Sequence, residues 1–188
     1  MSNLPEALAV ALGLAYLVLA IRQQRSCWIA GGMASLIFMG IFWQAGLPMQ
    51  ALLQVFYLVM AGLGWWHWGK DSTASAATVD GVGWRYHLLA FTALAALTGA
   101  TLVARQAVTD VQALVDTASS WGGVIATWMV ARKKLEAWIY WIGIDAVTAG
   151  LYLDAGLLAS SALYGVYTVL AFIGWRQWRI SSQRQRNS

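Results

Sequence analysis

Residues 26–69 read SCWIAGGMASLIFMGIFWQAGLPMQALLQVFYLVMAGLGWWHWG, and none of these 44 residues is Asp, Glu, Lys or Arg. A membrane-spanning helix needs about 17–25 mostly apolar residues, so this run is long enough for two spans. Gly46-Leu47-Pro48 divides it, because proline cannot continue a helix and disfavours helical geometry in the residue before it. The sequence therefore predicts two spans that meet at residues 46–48.

The composition of the whole chain agrees with this membrane character. Of 188 residues, 60% are apolar, 11% are charged and 12 are tryptophan. Soluble domains carry roughly 25% charged residues, so a soluble enzyme, a disordered tail and a nucleic-acid-binding module are excluded despite the pI near 9.5. The single cysteine, Cys27, excludes a disulfide framework and a cysteine-rich metal site. We predict an all-α integral membrane protein without a cofactor.

Charges and turns divide the chain into seven predicted spans. They cover about residues 4–21, two segments within 26–69, and then 88–104, 117–131, 137–153 and 157–175. The segment 106–116 is predicted as an interfacial loop with Val108, Val111 and Val115 on one stripe. The N-terminus lacks the basic region of a signal peptide, so the first apolar run is expected to be the first span.

The basic residues predict the orientation in the membrane. If the N-terminus lies outside, 11 of the 12 lysines and arginines fall in cytoplasmic segments and only Arg105 lies outside. Basic residues favour the cytoplasmic side, so we expect the C-terminus there. The residues after Trp175 are predicted to form a solvated basic end that touches anionic lipid.

The sequence repeats itself at an offset of 110 residues, when residues 28–68 are laid over residues 138–178. The identities include three tryptophan pairs and three glycine pairs: Trp28/Trp138, Trp65/Trp175, Trp68/Trp178, Gly40/Gly150, Gly46/Gly156 and Gly64/Gly174. We predict one transmembrane domain, residues 1–188, with repeats at about 4–69 and 117–178 and a linker helix at about 87–105.

A single linker helix crosses the membrane between the two three-span repeats, so both repeats have the same orientation. This is a 3-1-3 arrangement like that of SWEET transporters. Such halves commonly enclose a substrate site near the middle of the membrane, which favours transport. Two alternatives stay open: a membrane scaffold or receptor that transports nothing, and a sugar carrier of SWEET type.

The predicted sixth span carries the most informative polar group. Trp138, Trp141 and Asp145 stand at i, i+3 and i+7, on one face of a helix. A carboxylate at mid-span costs about 2.5–3.5 kcal/mol and is tolerated when it faces the interior of a bundle. Indole rings attract cations, so the pattern predicts a site for a cationic or hydroxyl-bearing ligand. The alternative is a carboxylic acid hydrogen-bonded to Ser or Tyr of a neighbouring helix.

Further polar groups lie at similar depth in the third and seventh spans. Gln54 and Tyr57 share a helix face, and their repeat counterparts are Tyr164 and Tyr167. They are predicted to contact the ligand, although intramembrane glutamine also joins helices. His67 lacks metal-ligand spacing, and no nucleophile–base pair, P-loop or HExxH motif supports a membrane enzyme.

These residues carry a family resemblance. The run 53–56, Gly64-Trp65, Trp68 and the motif Trp138-x-x-Trp141-x-x-x-Asp145 resemble the PnuC family of bacterial vitamin transporters. The resemblance implies a bacterial inner-membrane homotrimer that takes up nicotinamide riboside by facilitated diffusion. It also implies a substrate site lined by Trp138, Trp141, Asp145 and Gln54.

The chain departs from the family pattern at two positions. The sixth-span motif often ends in Asn where this chain has Asp145, and similar carriers often have Asn where this chain has Ala61. A carboxylate between indoles suits either nicotinamide riboside or thiamine, because both contain a cationic ring. Neutral riboflavin fits it less well. We therefore predict uptake of a cationic aromatic vitamin, with nicotinamide riboside first and thiamine as the alternative.

Overall fold

The computed structural model describes residues 4–70 and 79–186, and this part of the chain forms seven α-helices without a β-strand. The helices are α1 (Leu4–Ile21), α2 (Cys27–Gln44), α3 (Pro48–Lys70), α4 (Trp84–Ala104), α5 (Val111–Ala131), α6 (Ala137–Asp154) and α7 (Leu158–Arg186). The all-α prediction is confirmed. Among the described residues, α1, α2 and α4 are long and apolar enough to cross a membrane by length and composition alone.

Two predicted segments differ from the structure. Helix α5 begins at Val111, within the predicted interfacial loop, because the Asp110 carboxylate accepts hydrogen bonds from the backbone N–H groups of Gln112 and Ala113 and caps the helix. Helix α7 does not end near Trp175 in a solvated tail. It continues to Arg186, with Trp178 and Ser182 buried one turn apart.

The described residues form two compact units, one within residues 1–78 and the other within residues 79–188. In the first unit α1 packs on α2 and α2 packs on α3. In the second unit α4, α5, α6 and α7 pack in chain order, each on the next. The bounds of the repeats and of the linker helix stay predictions.

Each unit contains a buried pair of tryptophans that pack edge to face. The ring centroids of Trp28 and Trp68 are 5.5 Å apart at 87°, and those of Trp138 and Trp178 are 5.4 Å apart at 82°. A glycine makes room for each pair, because a Cβ at Gly174 would lie 2.6 Å from the Trp138 ring and one at Gly64 would overlap the Trp28 ring. The repeated glycines and tryptophans therefore share one packing function.

The turns of the two units also match at the offset of 110 residues. Gly46 and Gly156 follow α2 and α6 with φ of +71° and +75°, a conformation that glycine adopts readily. Gln23 and Lys133 precede α2 and α6 with φ of 56° and 51°. These agreements support the predicted repeat, and the 3-1-3 arrangement stays a prediction.

Gly174→Ala is expected to destabilise the protein by about 1–3 kcal/mol, because Trp138 is buried and cannot move away from the added methyl group. Thermal unfolding in detergent measures this change. Gly165→Ala is the matched control on the same helix, since nothing lies within 4 Å of its added Cβ. Equal melting temperatures for the two variants would contradict the packing role of Gly174.

Candidate functional site

The face of α6 that carries the sequence motif is mostly buried. Asp145 lies near the middle of the helix with 6% of its surface exposed, and Trp138 near the start is 1% exposed. Trp138 packs against Trp178 and Gly174, whereas Trp141, one turn before Asp145, is only half-buried. The structure therefore places Trp138 in the helix-packing core and leaves Trp141 more accessible.

Helix α7 brings two predicted tyrosines to Asp145. The carboxylate interacts electrostatically with the hydroxyl groups of Tyr164 and Tyr167. The Tyr164 ring lies 5.8 Å from the Tyr167 ring and 5.4 Å from that of Tyr152 on α6. Three of the predicted site residues, Asp145, Tyr164 and Tyr167, thus lie near one another on the two helices α6 and α7, which pack together.

The side of α5 that packs on α6 adds hydroxyl groups. Ser119 Oγ and Thr148 Oγ1 are hydrogen-bonded at 3.2 Å, and Thr148 lies one turn after Asp145. The two helices approach closely at Gly122, where an added Cβ would lie 2.9 Å from Ile144 Cδ1. We call Ser119, Asp145, Thr148, Tyr164 and Tyr167 the Asp145 cluster.

Within the described part of the chain, the Asp145 carboxylate has neither a cationic partner nor a hydrogen-bond donor. The hydroxyl groups of Tyr164 and Tyr167 do not hydrogen-bond to it. Burial of a charge without a partner is costly, so this group is suited to compensation by water or by a bound cation.

The first unit holds the other two predicted residues. Gln54 and Tyr57 are half-buried on α3, and Tyr57 packs edge to face on Phe56 with ring centroids 5.5 Å apart. Ser35 occupies the position that corresponds to Asp145 and is also buried. This unit therefore has neutral polar groups where the second unit has a carboxylate.

Sequence reasoning missed Ser119, Thr148 and Tyr152. Thr148 follows Asp145 by three residues and shares its helix face, so the same periodicity could have found it. Ser119 could not be found that way, since its position depends on the register between α5 and α6.

The family model for the nicotinamide mononucleotide transporter matches residues 3–180 of this chain. The chain belongs to this family. The resemblance to PnuC transporters is thereby confirmed, and a family of transporters agrees with the prediction that the chain is not an enzyme. Membership, together with the apolar helices, makes it a multi-pass membrane protein.

Two curated relatives and one solved structure are similar over most of this family member. The nicotinamide riboside transporter PnuC of Escherichia coli (strain K12) is 26% identical over 97% of this chain and 87% of its own length. The riboflavin/roseoflavin transporter RibM of Streptomyces davaonensis is 26% identical over 92% and 83%. The crystal structure of the Vitamin B3 transporter PnuC has a TM-score of 0.75 at 16% identity, covering 97% and 83%. This last match shows the shared fold.

If water reaches the Asp145 cluster, a cysteine at position 167 will react with a charged thiol reagent faster than one at position 166. The thiol reacts as the thiolate, which needs an aqueous environment. The native Cys27 is buried and is therefore not expected to react. Tyr167→Cys and Val166→Cys are matched neighbours, because Val166 is exposed on the surface of α7. Labelling rates in membranes check this, and faster labelling at position 166 would contradict a wet cluster.

Proposed function

We propose that this chain carries a cationic aromatic vitamin across the bacterial inner membrane by facilitated diffusion, with nicotinamide riboside as the leading substrate. The observation that carries the proposal is the buried Asp145 carboxylate without a cationic partner in the described residues. The E. coli relative, a nicotinamide riboside transporter by name, supports the choice of substrate.

The electrostatic argument concerns the charge of the substrate. Inside a membrane protein the effective dielectric constant is low, so a carboxylate and a cationic ring attract each other much more strongly than in water. A pyridinium ring beside Asp145 offsets the cost of burying the carboxylate, and Asp145 offsets the cost of burying the ring. Neutral ligands gain no such benefit.

The aromatic and hydroxyl groups around Asp145 suit the remainder of such a molecule. Tyr164 and Tyr167 offer ring faces that attract a cation and hydroxyl groups that can bind a ribose. Trp141 is half-buried on the same face of α6, and in this proposal it stacks on the ring. Trp138 could stack only if it left Trp178, so its expected contribution is weaker.

The remaining parts of the proposal rest on the sequence. Gln54 and Tyr57 of the first unit are included as polar groups that contact the substrate. The N-terminus is assigned to the outside and the C-terminus to the cytoplasm by the distribution of basic residues. The proposal also includes assembly as a homotrimer and contact between lipid and the basic end of α7.

Two other vitamins are candidates for specific reasons. Thiamine contains a cationic thiazolium ring, so the argument from Asp145 applies to it equally. Riboflavin is favoured by the similarity to RibM, which is a riboflavin/roseoflavin transporter by name. The three compounds therefore define the first experiment.

Vesicles reconstituted with the protein are expected to take up labelled nicotinamide riboside, with competition by thiamine in excess and little by riboflavin. Charge complementarity with Asp145 is the reason for this order. Empty vesicles are the control. Competition by riboflavin alone would contradict a cationic substrate, and the absence of flux for all three vitamins would favour a scaffold.

Asp145→Asn is expected to raise the KM for nicotinamide riboside about tenfold or more, since a lost interaction of about 1.4 kcal/mol changes affinity by this factor. Asparagine keeps the size of the side chain, removes its charge and replaces one acceptor oxygen by an NH2 donor. Asp154→Asn, at the exposed end of the same helix, is the matched control. A KM equal to that of the control would remove the electrostatic role of Asp145.

A further inference from the structure

A second carboxylate lies at the end of the second unit that the basic residues predict to face outside. Asp116 is on the first turns of α5, and its side chain is 53% exposed. Arg105 Nη1 lies 4.0 Å from Asp116 Oδ2, and the arginine side chain is 55% exposed. A pair this long and this exposed is weak, so another cation can replace the arginine.

Polar side chains connect Asp116 to Asp145. Asp116 and Ser119 are three residues apart on α5, and Asp145 and Thr148 are three residues apart on α6, so each pair shares a helix face. The hydrogen bond between Ser119 and Thr148 joins the two faces. The packed helices therefore carry a polar line from the exposed end of α5 to the middle of α6.

Aromatic rings of α6 and α7 lie near the outer end of this polar line. Asp116 lies one turn before Ser119 on α5, and Tyr152 lies one turn after Thr148 on the antiparallel α6, so the Ser119–Thr148 hydrogen bond brings both to the same end of the two helices. Tyr152 lies beside Tyr164, with ring centroids 5.4 Å apart. Tyrosine rings attract cations through their faces, so an organic cation near Asp116 meets both a carboxylate and aromatic rings.

The inner end of the line supplies an independent indication of a ligand. Asp145 is more than nine-tenths buried and has no cationic partner among residues 4–70 and 79–186. A cation from outside the chain can compensate this carboxylate, and the side chains of the polar line offer oxygen atoms to such a cation on its way to Asp145.

We propose that Asp116, Tyr152 and Tyr164 form an outer cation-binding station, at which an organic cation displaces Arg105 from Asp116 before it moves to Asp145. The station rests on the proposed function, because it supplies the same cationic vitamin to the Asp145 cluster. It also rests on the predicted orientation, which places the start of α5 outside.

A purely structural ion pair makes a different prediction from a station. If Arg105 and Asp116 only hold α4 to α5, loss of either partner has the same effect on uptake. If Arg105 competes with the substrate for Asp116, the two substitutions act in opposite directions. Arg105→Gln then lowers the KM, and Asp116→Asn raises it.

The experiment measures initial uptake of labelled nicotinamide riboside over a range of concentrations in reconstituted vesicles. We expect Asp116→Asn to raise the KM about two- to fivefold at low salt, the range for a half-exposed charge pair. The difference should shrink as salt increases, because the screening length falls to about 8 Å at 0.15 M. Asp154→Asn, an exposed acid at the same end of the unit, is expected to leave the KM unchanged.

The outcomes separate the station from the proposed function. Equal KM values for Asp116→Asn and Asp154→Asn, with Asp145→Asn still impaired, would overturn the station and leave the proposed function standing. A raised KM for both Arg105→Gln and Asp116→Asn would also overturn it, in favour of a structural pair. No uptake of nicotinamide riboside, thiamine or riboflavin by the unaltered protein would overturn both.

Discussion

The free-energy cost of placing a carboxylate in the middle of a membrane helix constrains how the helices of the second unit pack. Asp145 is tolerated there because it is buried on α6, which packs on both α5 and α7, and does not face lipid. The described residues bring it no arginine or lysine, so the charge is left for a ligand or for water. In the proposed function, this single buried carboxylate is the group that makes the site prefer cations.

The frame that holds this group depends on glycine. Gly174 lets the Trp138 ring lie against α7, and Gly122 lets Ile144 lie against α5, so α6 is held closely on two sides. Packed indoles have little freedom to move, since protein interiors are close to crystalline density. The position of Asp145 relative to Tyr164 and Tyr167 follows from these contacts.

Much of this fold could be predicted from the sequence because lipid imposes simple demands on length and polarity. Helix α1 has the predicted bounds, whereas the start of α5 was missed because one capping side chain, Asp110, extends the helix into a polar segment. The repeat and helix periodicity predicted that Tyr164 and Tyr167 lie at a depth similar to that of Asp145. The Ser119–Thr148 contact could not be predicted, because the register between two helices depends on how their glycines and large side chains fit together.

The most direct test of this account is an experimental structure of the protein with nicotinamide riboside bound. We expect the pyridinium ring within about 6 Å of the Asp145 carboxylate, the range in which opposite charges interact strongly, with tyrosine or tryptophan rings beside it. A substrate bound away from Asp145, or an Asp145 side chain that faces the lipid, would contradict the account.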